Sequence, residues 1–211
     1  MALEDQIRTL NWKSNWNNEV NTSINGKTYV ADFGNHYWSF TIETPPITRA
    51  DFQNNFFVLF NDIDSTARIQ IKAPVINDAE GRPGSTDPSG VGPTQLIGTG
   101  FAGAYPTDVT VDLLDDTTVG MELTNGDFVQ FANHGKVYMV NGNHSIDPDD
   151  YGGSPTQGQI TVTPPLIKTV SNQDMKINDI SVNVVAIGDT VEYQTDVDGL
   201  FVFSKEVREV V

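Results

Sequence analysis

The groups clustered closely enough to suggest chemistry are carboxylates, histidines and aromatic rings, and the chain contains no cysteine. That removes disulfides, cysteine-zinc sites and thiol catalysis together. The densest carboxylate cluster is Asp147, Asp149 and Asp150, beside Tyr151-Gly152-Gly153. Calcium requires six to eight oxygen ligands, and the EF-hand spacing with its distal Glu is missing, so the cluster reads as a solvated acidic loop. Asp112, Asp115 and Asp116 sit at an expected strand end and read as surface charge. Two carboxylates about 5 to 10 Å apart hydrolyse glycosidic bonds, yet nothing in the spacing marks such a pair. The three histidines, His36, His134 and His144, have no metal-site spacing. Nor is there a Gly-x-Ser-x-Gly elbow, a phosphate-cradling loop or a dinucleotide fingerprint. The expectation is a protein that is not an enzyme, with no catalytic residues, no metal and no cofactor.

Binding is the other kind of chemistry. Phe101, Tyr105 and Tyr151, with nearby Asp and Asn, either form a stacking platform for a sugar or pack against their own domain's rim. Trp12 and Trp16 stand in an Asn-rich stretch from Leu10 to Asn25, read as an arm or irregular lead-in; they either cap the chain's own core or dock on a partner. Val207, Val210 and Val211 form an apolar tail, either a paired edge strand or an intersubunit strand.

Charge narrows the partners. Twelve basic against twenty-eight acidic residues give a formal charge of -16, so nucleic acid is repelled from most of the surface. A lumen through which a duplex slides without sticking is the one DNA-related role that such acidity suits. At 211 residues the chain buries a sizeable core in one or two domains. The polar start Met-Ala-Leu-Glu-Asp-Gln and the lack of any long apolar run point to a protein made in the cytoplasm without membrane insertion.

The elements that must position these groups are mostly strands. Lys27 to Phe33 and His36 to Thr44 read as two strands joined at Gly34-Asn35. Pro45 and Pro46 end the second, and Thr48 with Asp51 caps a helix whose stripe is Phe52, Phe56, Leu59 and Phe60. Arg68 to Lys72 is a strand with one wet face, and Ala79 to Pro93 is a Gly, Pro, Ser and Asp linker. Between Gly126 and Leu166, Phe128 to Phe131 and Val137 to Val140 flank a turn at Ala132 to Gly135. Ile160 and Val162 alternate with polar neighbours up to Pro164-Pro165. Strands near 108–114, 127–132, 136–143 and 158–163 give four or five in under ninety residues, the size of an OB-like barrel, with His144 to Gln157 as an exposed loop. After Lys168, Ile177, Ile180, Val182, Val184 and Val185 suggest strands. Thr190 to Thr195 and Leu200 to Arg208 then flank Asp198-Gly199, a hairpin completing the sheet begun near residue 27. The fold expected is mainly β with one short helix. One domain is made of 1–80 and 168–211, and an OB-like β-barrel of 81–167 is inserted in it. The insertion holds ten acidic and two basic residues between Gly81 and Ile167, half of the chain's negative excess.

Read in order, His36-Tyr37-Trp38-Ser39-Phe40-Thr41-Ile42, Asn125-Gly126-Asp127-Phe128, His134-Gly135-Lys136-Val137-Tyr138-Met139-Val140 and Ile160-Thr161-Val162-Thr163-Pro164-Pro165-Leu166 resemble the distal tail proteins of long-tailed bacteriophages, in the branch that carries an OB-fold insertion. The most specific piece is Gly-Asp-Phe followed by His-x-Lys-Val-Tyr. The resemblance implies that the terminal segments form a β-rich ring-forming domain, sandwich- or barrel-like, and assemble into a homo-oligomeric, hexameric ring. That ring continues the tail tube, while the inserted barrel projects outward. The implied partners are the tail tube protein, tail hub or fibre proteins, and genomic DNA passing through the lumen; the implied location is the virion. Trp12, Trp16, Val207, Val210 and Val211 are the places to look for intersubunit contact. A carbohydrate-binding module recognising host-envelope glycans is the competing expectation, with Phe101, Tyr105 and Tyr151 facing the sugar.

Overall fold

The computed structural model describes residues 9–56, 67–71, 96–100, 102, 107–113, 121–146, 157–177, 180–187, 192–195 and 198–210. The chain is mainly β and divides into two compact units, Met1–Ile69 with Asn183–Val210, and Gln70–Val182.

The first unit is built on one long hairpin. Strand β1 (Thr9–Thr22) pairs antiparallel with β2 (Thr28–Glu43), from Thr9 opposite Glu43 to Thr22 opposite Thr28. The Asn-rich lead-in is therefore a strand, and residues 28 to 43 form one strand rather than two. Gly34-Asn35 does not turn the chain, because β1 pairs with both halves and the mismatch is absorbed by a register shift between Trp16 and Asn18. The turn lies at Asn25-Gly26 instead. Gly26 has φ +79°, a conformation open to glycine at no steric cost, and its N–H donates to the Ser23 carbonyl at 2.9 Å.

Beyond β2 the sheet continues through β14 (Phe201–Glu209) and β12 (Ile180–Ala186) to β3 (Ala67–Ile71), with β13 (Glu192–Thr195) hairpinned onto β14 across Asp198-Gly199. Alternate residues of β14, namely Phe203, Lys205, Val207 and Glu209, are buried. With Trp38, Phe40 and Ile42 of β2 they show why period two was visible in the sequence. The expected helix begins as α1 (Arg49–Asp51) and runs into a π-helical turn, Phe52–Phe56. Its cap is as expected, with Thr48 Oγ1 accepting from Asp51 N–H at 3.2 Å. Phe52 is buried against Phe201 and Phe203, at ring-centroid distances of 5.3 and 5.9 Å, whereas Leu59 and Phe60 lie outside the described residues.

The second unit is a closed antiparallel barrel. Its strands are β4 (Leu96–Gly100), β5 (Asp108–Leu113), β7 (Phe128–Phe131), β8 (Val137–Val140), β10 (Gln157–Thr163) and β11 (Val170–Lys176), in the order β10-β5-β4-β11-β7-β8, closed by β10 on β8. A two-stranded pair, β6 (Met121–Leu123) with β9 (His144–Ile146), lies beside it in sequence, so the first residues after Asn143 are strand and not loop. The barrel has six strands, where a four- or five-stranded OB-like count was expected. The two added are β4 and β11. β11 also corrects the domain boundary: residues 170–176 pair with β4 and β7, so Pro164-Pro165 marks a bend between barrel strands rather than a return to the first domain. Val109, Val111, Val129, Phe131, Tyr138, Val140, Ile160 and Val162 are fully buried in the core. At Gly98 an added Cβ would stand 2.5 Å from Phe131 Cε1, so the ring occupies the space that the glycine leaves.

Candidate functional site

The feature that stands apart is the β1–β2 hairpin. Its inner half belongs to the sheet core, where Trp12 meets Trp38 and Phe40 edge-on, with ring centroids 5.5 and 4.6 Å apart. Trp16 lies opposite His36 on the neighbouring strand and packs edge-on against its imidazole at 4.8 Å, and Ser14 Oγ is 2.9 Å from His36 Nε2. Lys13 donates to Glu206 Oε1 at 2.8 Å across the exposed face. Such surface pairs add little to stability.

The outer half differs in kind. Val20 lies opposite Val30 and Asn21 opposite Tyr29, and these apolar side chains are open to solvent, Val20 by 62%, Tyr29 by 59% and Val30 by 63%. Six of the nine exposed large apolar side chains among the described residues, Trp16, Val20, Ile24, Tyr29, Val30 and Tyr37, sit on this one hairpin. Single exposed apolar residues are ordinary on a protein surface, whereas a run of them on one element marks a contact surface. β1 is also the terminal strand of its sheet. It runs fourteen residues with no proline and one lysine, so it carries few of the devices that usually blunt an edge.

Two of the motifs that carry the family resemblance, Asn125–Phe128 and His134–Val140, perform structural work in the barrel unit. In the turn before β7, Asp127 Oδ2 accepts from Thr124 N–H at 2.8 Å, and Asn125 N–H donates to Asn143 Oδ1 at 3.1 Å. In the turn after β7, the side chains of Asn133 and His134 are hydrogen-bonded through Oδ1 and Nδ1, and His134 Nε2 lies 2.7 Å from the Tyr138 hydroxyl. That hydroxyl accepts from Ile167 N–H at 3.3 Å, while Asn133 Nδ2 donates to the Thr169 carbonyl and Lys168 Nζ to the Asn133 carbonyl. The side chains of Tyr138 and Asn133 thus clamp the 167–169 connection, and the imidazole is bonded to both. Burial, with Lys168 and Lys136 nearby, pushes His134 down to about 4, so it is neutral at physiological pH. The imidazole's hydrogen-bond partners are thus the side chains of Asn133 and Tyr138. His144 Nε2 is tied to the Asn141 carbonyl at 2.9 Å. It lines a shallow cleft of about 260 Å³ with Glu122, Leu123, Thr124, Asn143 and Ser145. Among the described residues no three His, Asp or Glu side chains come together to hold a metal ion.

The candidate contact residues are therefore scattered. Trp12 caps the chain's own core and Trp16 is exposed on the ribbon. Val207 is 0% exposed, in register with Phe40, and so has no surface to offer another subunit; its place in an interface is corrected to the core. Val210 is partly buried, and its N–H donates to the Asn183 carbonyl at 2.8 Å. Val211, the aromatic trio Phe101, Tyr105 and Tyr151, the carboxylates Asp115, Asp116, Asp147, Asp149 and Asp150, and the linker expected from Ala79 to Pro93 lie outside the described residues. The outer ribbon was missed because its Asn-rich strand lacks alternation. Asn25-Gly26 was the signal that could have located it. No family model and no curated protein matches this chain.

Proposed function

We propose that this protein is a non-enzymatic structural component of a bacteriophage tail, forming with copies of itself a ring at the distal end of the tail tube. The ring is hexameric in the family that the sequence resembles. The unit made of both chain ends supplies the ring, and the barrel is an outward docking surface. Its partners are the tail tube protein on one side and tail hub or fibre proteins on the other, with genomic DNA crossing the lumen unbound. The protein is made in the host cytoplasm and resides in the virion.

The observation that carries this reading is the interrupted architecture. A β-rich unit with one short helix, assembled from both chain ends, is broken between β3 and β12 by a closed barrel. That is the arrangement the ordered motifs imply. Supporting it, a charge of -16 suits a wall past which a polyanion moves without adhering.

Electron cryomicroscopy of the particle carrying this chain tests the proposal. The expected result is a closed ring of copies around a DNA-sized lumen at the tail's end. A chain found only on peripheral fibres sinks the ring, and glycan recognition by the barrel then takes its place.

A further inference from the structure

We infer that the outer half of the β1–β2 ribbon docks on a second copy of this chain, covering Val20, Ile24, Tyr29 and Val30. The inference deepens the ring reading and rests on it for the closed assembly, while the choice of surface and occupant rests on charge. Residues 9 to 32 hold Lys13, Lys27, Glu19 and Asp32, two positive and two negative, in a chain of -16. The ribbon is thus neutral on a strongly anionic molecule. A cationic partner would be drawn to the acidic remainder, where residues 81 to 167 alone carry ten acids against two bases, and not to the ribbon. An anionic partner is repelled everywhere except where charge cancels and apolar surface is available. A second copy is such a partner, and the ribbon supplies both conditions, with Val20 and Val30 paired across the strands and Ile24 fully exposed in the turn. Among the described residues β1 is the terminal strand of its sheet, an edge on which a neighbouring strand can add.

The test uses the full chain with the photo-crosslinker p-benzoylphenylalanine in place of Tyr29 or, as a control, in place of the exposed Glu122. Irradiation should give a chain–chain adduct of twice the monomer mass from position 29 and not from position 122. The double substitution Val20→Asp with Val30→Asp should cut that adduct by at least about tenfold, with the thermal midpoint unchanged. An equal adduct from both positions, or none from position 29, overturns the inference. So does binding of the chain to phosphatidylcholine vesicles without an adduct, which assigns the ribbon to a lipid surface. Failure here is separable from failure of the ring. A closed ring whose ribbons face solvent removes only the docking inference, and an adduct from a chain that lies off the tail axis removes only the ring.

Discussion

His134 shows how a residue of reactive type is put to structural use. Its lowered value, about 4 against an ordinary 6.5, means that the unfolded chain takes the proton first as the medium is acidified. Its stabilising contribution is complete above pH 6.5 and is lost as pH falls through 4. After discounting for its solvent-facing side, that contribution is about 1–2 kcal/mol. Thermal midpoints measured from pH 7 to pH 4 should fall less steeply in His134→Gln than in the parent; parallel curves would remove the imidazole from the account. Gly98 makes a second residue-scale prediction. Gly98→Ala sets a methyl against the buried Phe131 ring and should cost about 1–3 kcal/mol in denaturant unfolding. Adding Phe131→Leu should return part of that loss, because the two positions share one volume.

Among the elements, the legible ones owed their clarity to buried apolar residues. β5, β7, β8, β10 and β14 announced themselves because Val109 and Val111, Phe128 and Phe131, Val137 and Val140, Ile160 and Val162, and Phe203 and Val207 are buried residues in strands. β1 was hidden because most of its side chains face water, and its pairing is set by β2 rather than by its own alternation. β11 was hidden for a similar reason: of its seven residues only Val170 and Met175 are buried. The barrel's count and boundary were misread for want of that strand. The site residues fared likewise, since Val207 at a chain end looked free, while its burial depends on β2, far away in sequence. Val207→Asp should therefore unfold the sheet by burying an unpaired carboxylate, whereas Val20→Asp on the exposed ribbon should stay within about 0.5 kcal/mol of the parent. Equal stabilities in chemical denaturation would refute that division of the hairpin. At the helix start, Thr48→Ala should cost about 1 kcal/mol by freeing the Asp51 N–H.

For the molecule as a whole, sixteen uncompensated negative charges govern encounters. Raising monovalent salt from 0.01 to 0.15 M shortens the screening length from about 30 to about 8 Å. Chain–chain association followed by sedimentation should therefore strengthen with salt, because repulsion is screened and apolar contact is not. Association that weakens with salt would mean that ion pairs hold the copies together. The arrangement of the barrel's ends has a different sort of consequence. β4 and β11, its first and last strands, are antiparallel neighbours with Leu96 opposite Met175, and the flanking strands β3 and β12 are neighbours in the six-stranded sheet. Within each unit the strand before the break and the strand after it lie side by side. The barrel is therefore a cassette: a single recombination event can delete it, graft it or exchange it for another, leaving the host strands to be rejoined by a short linker.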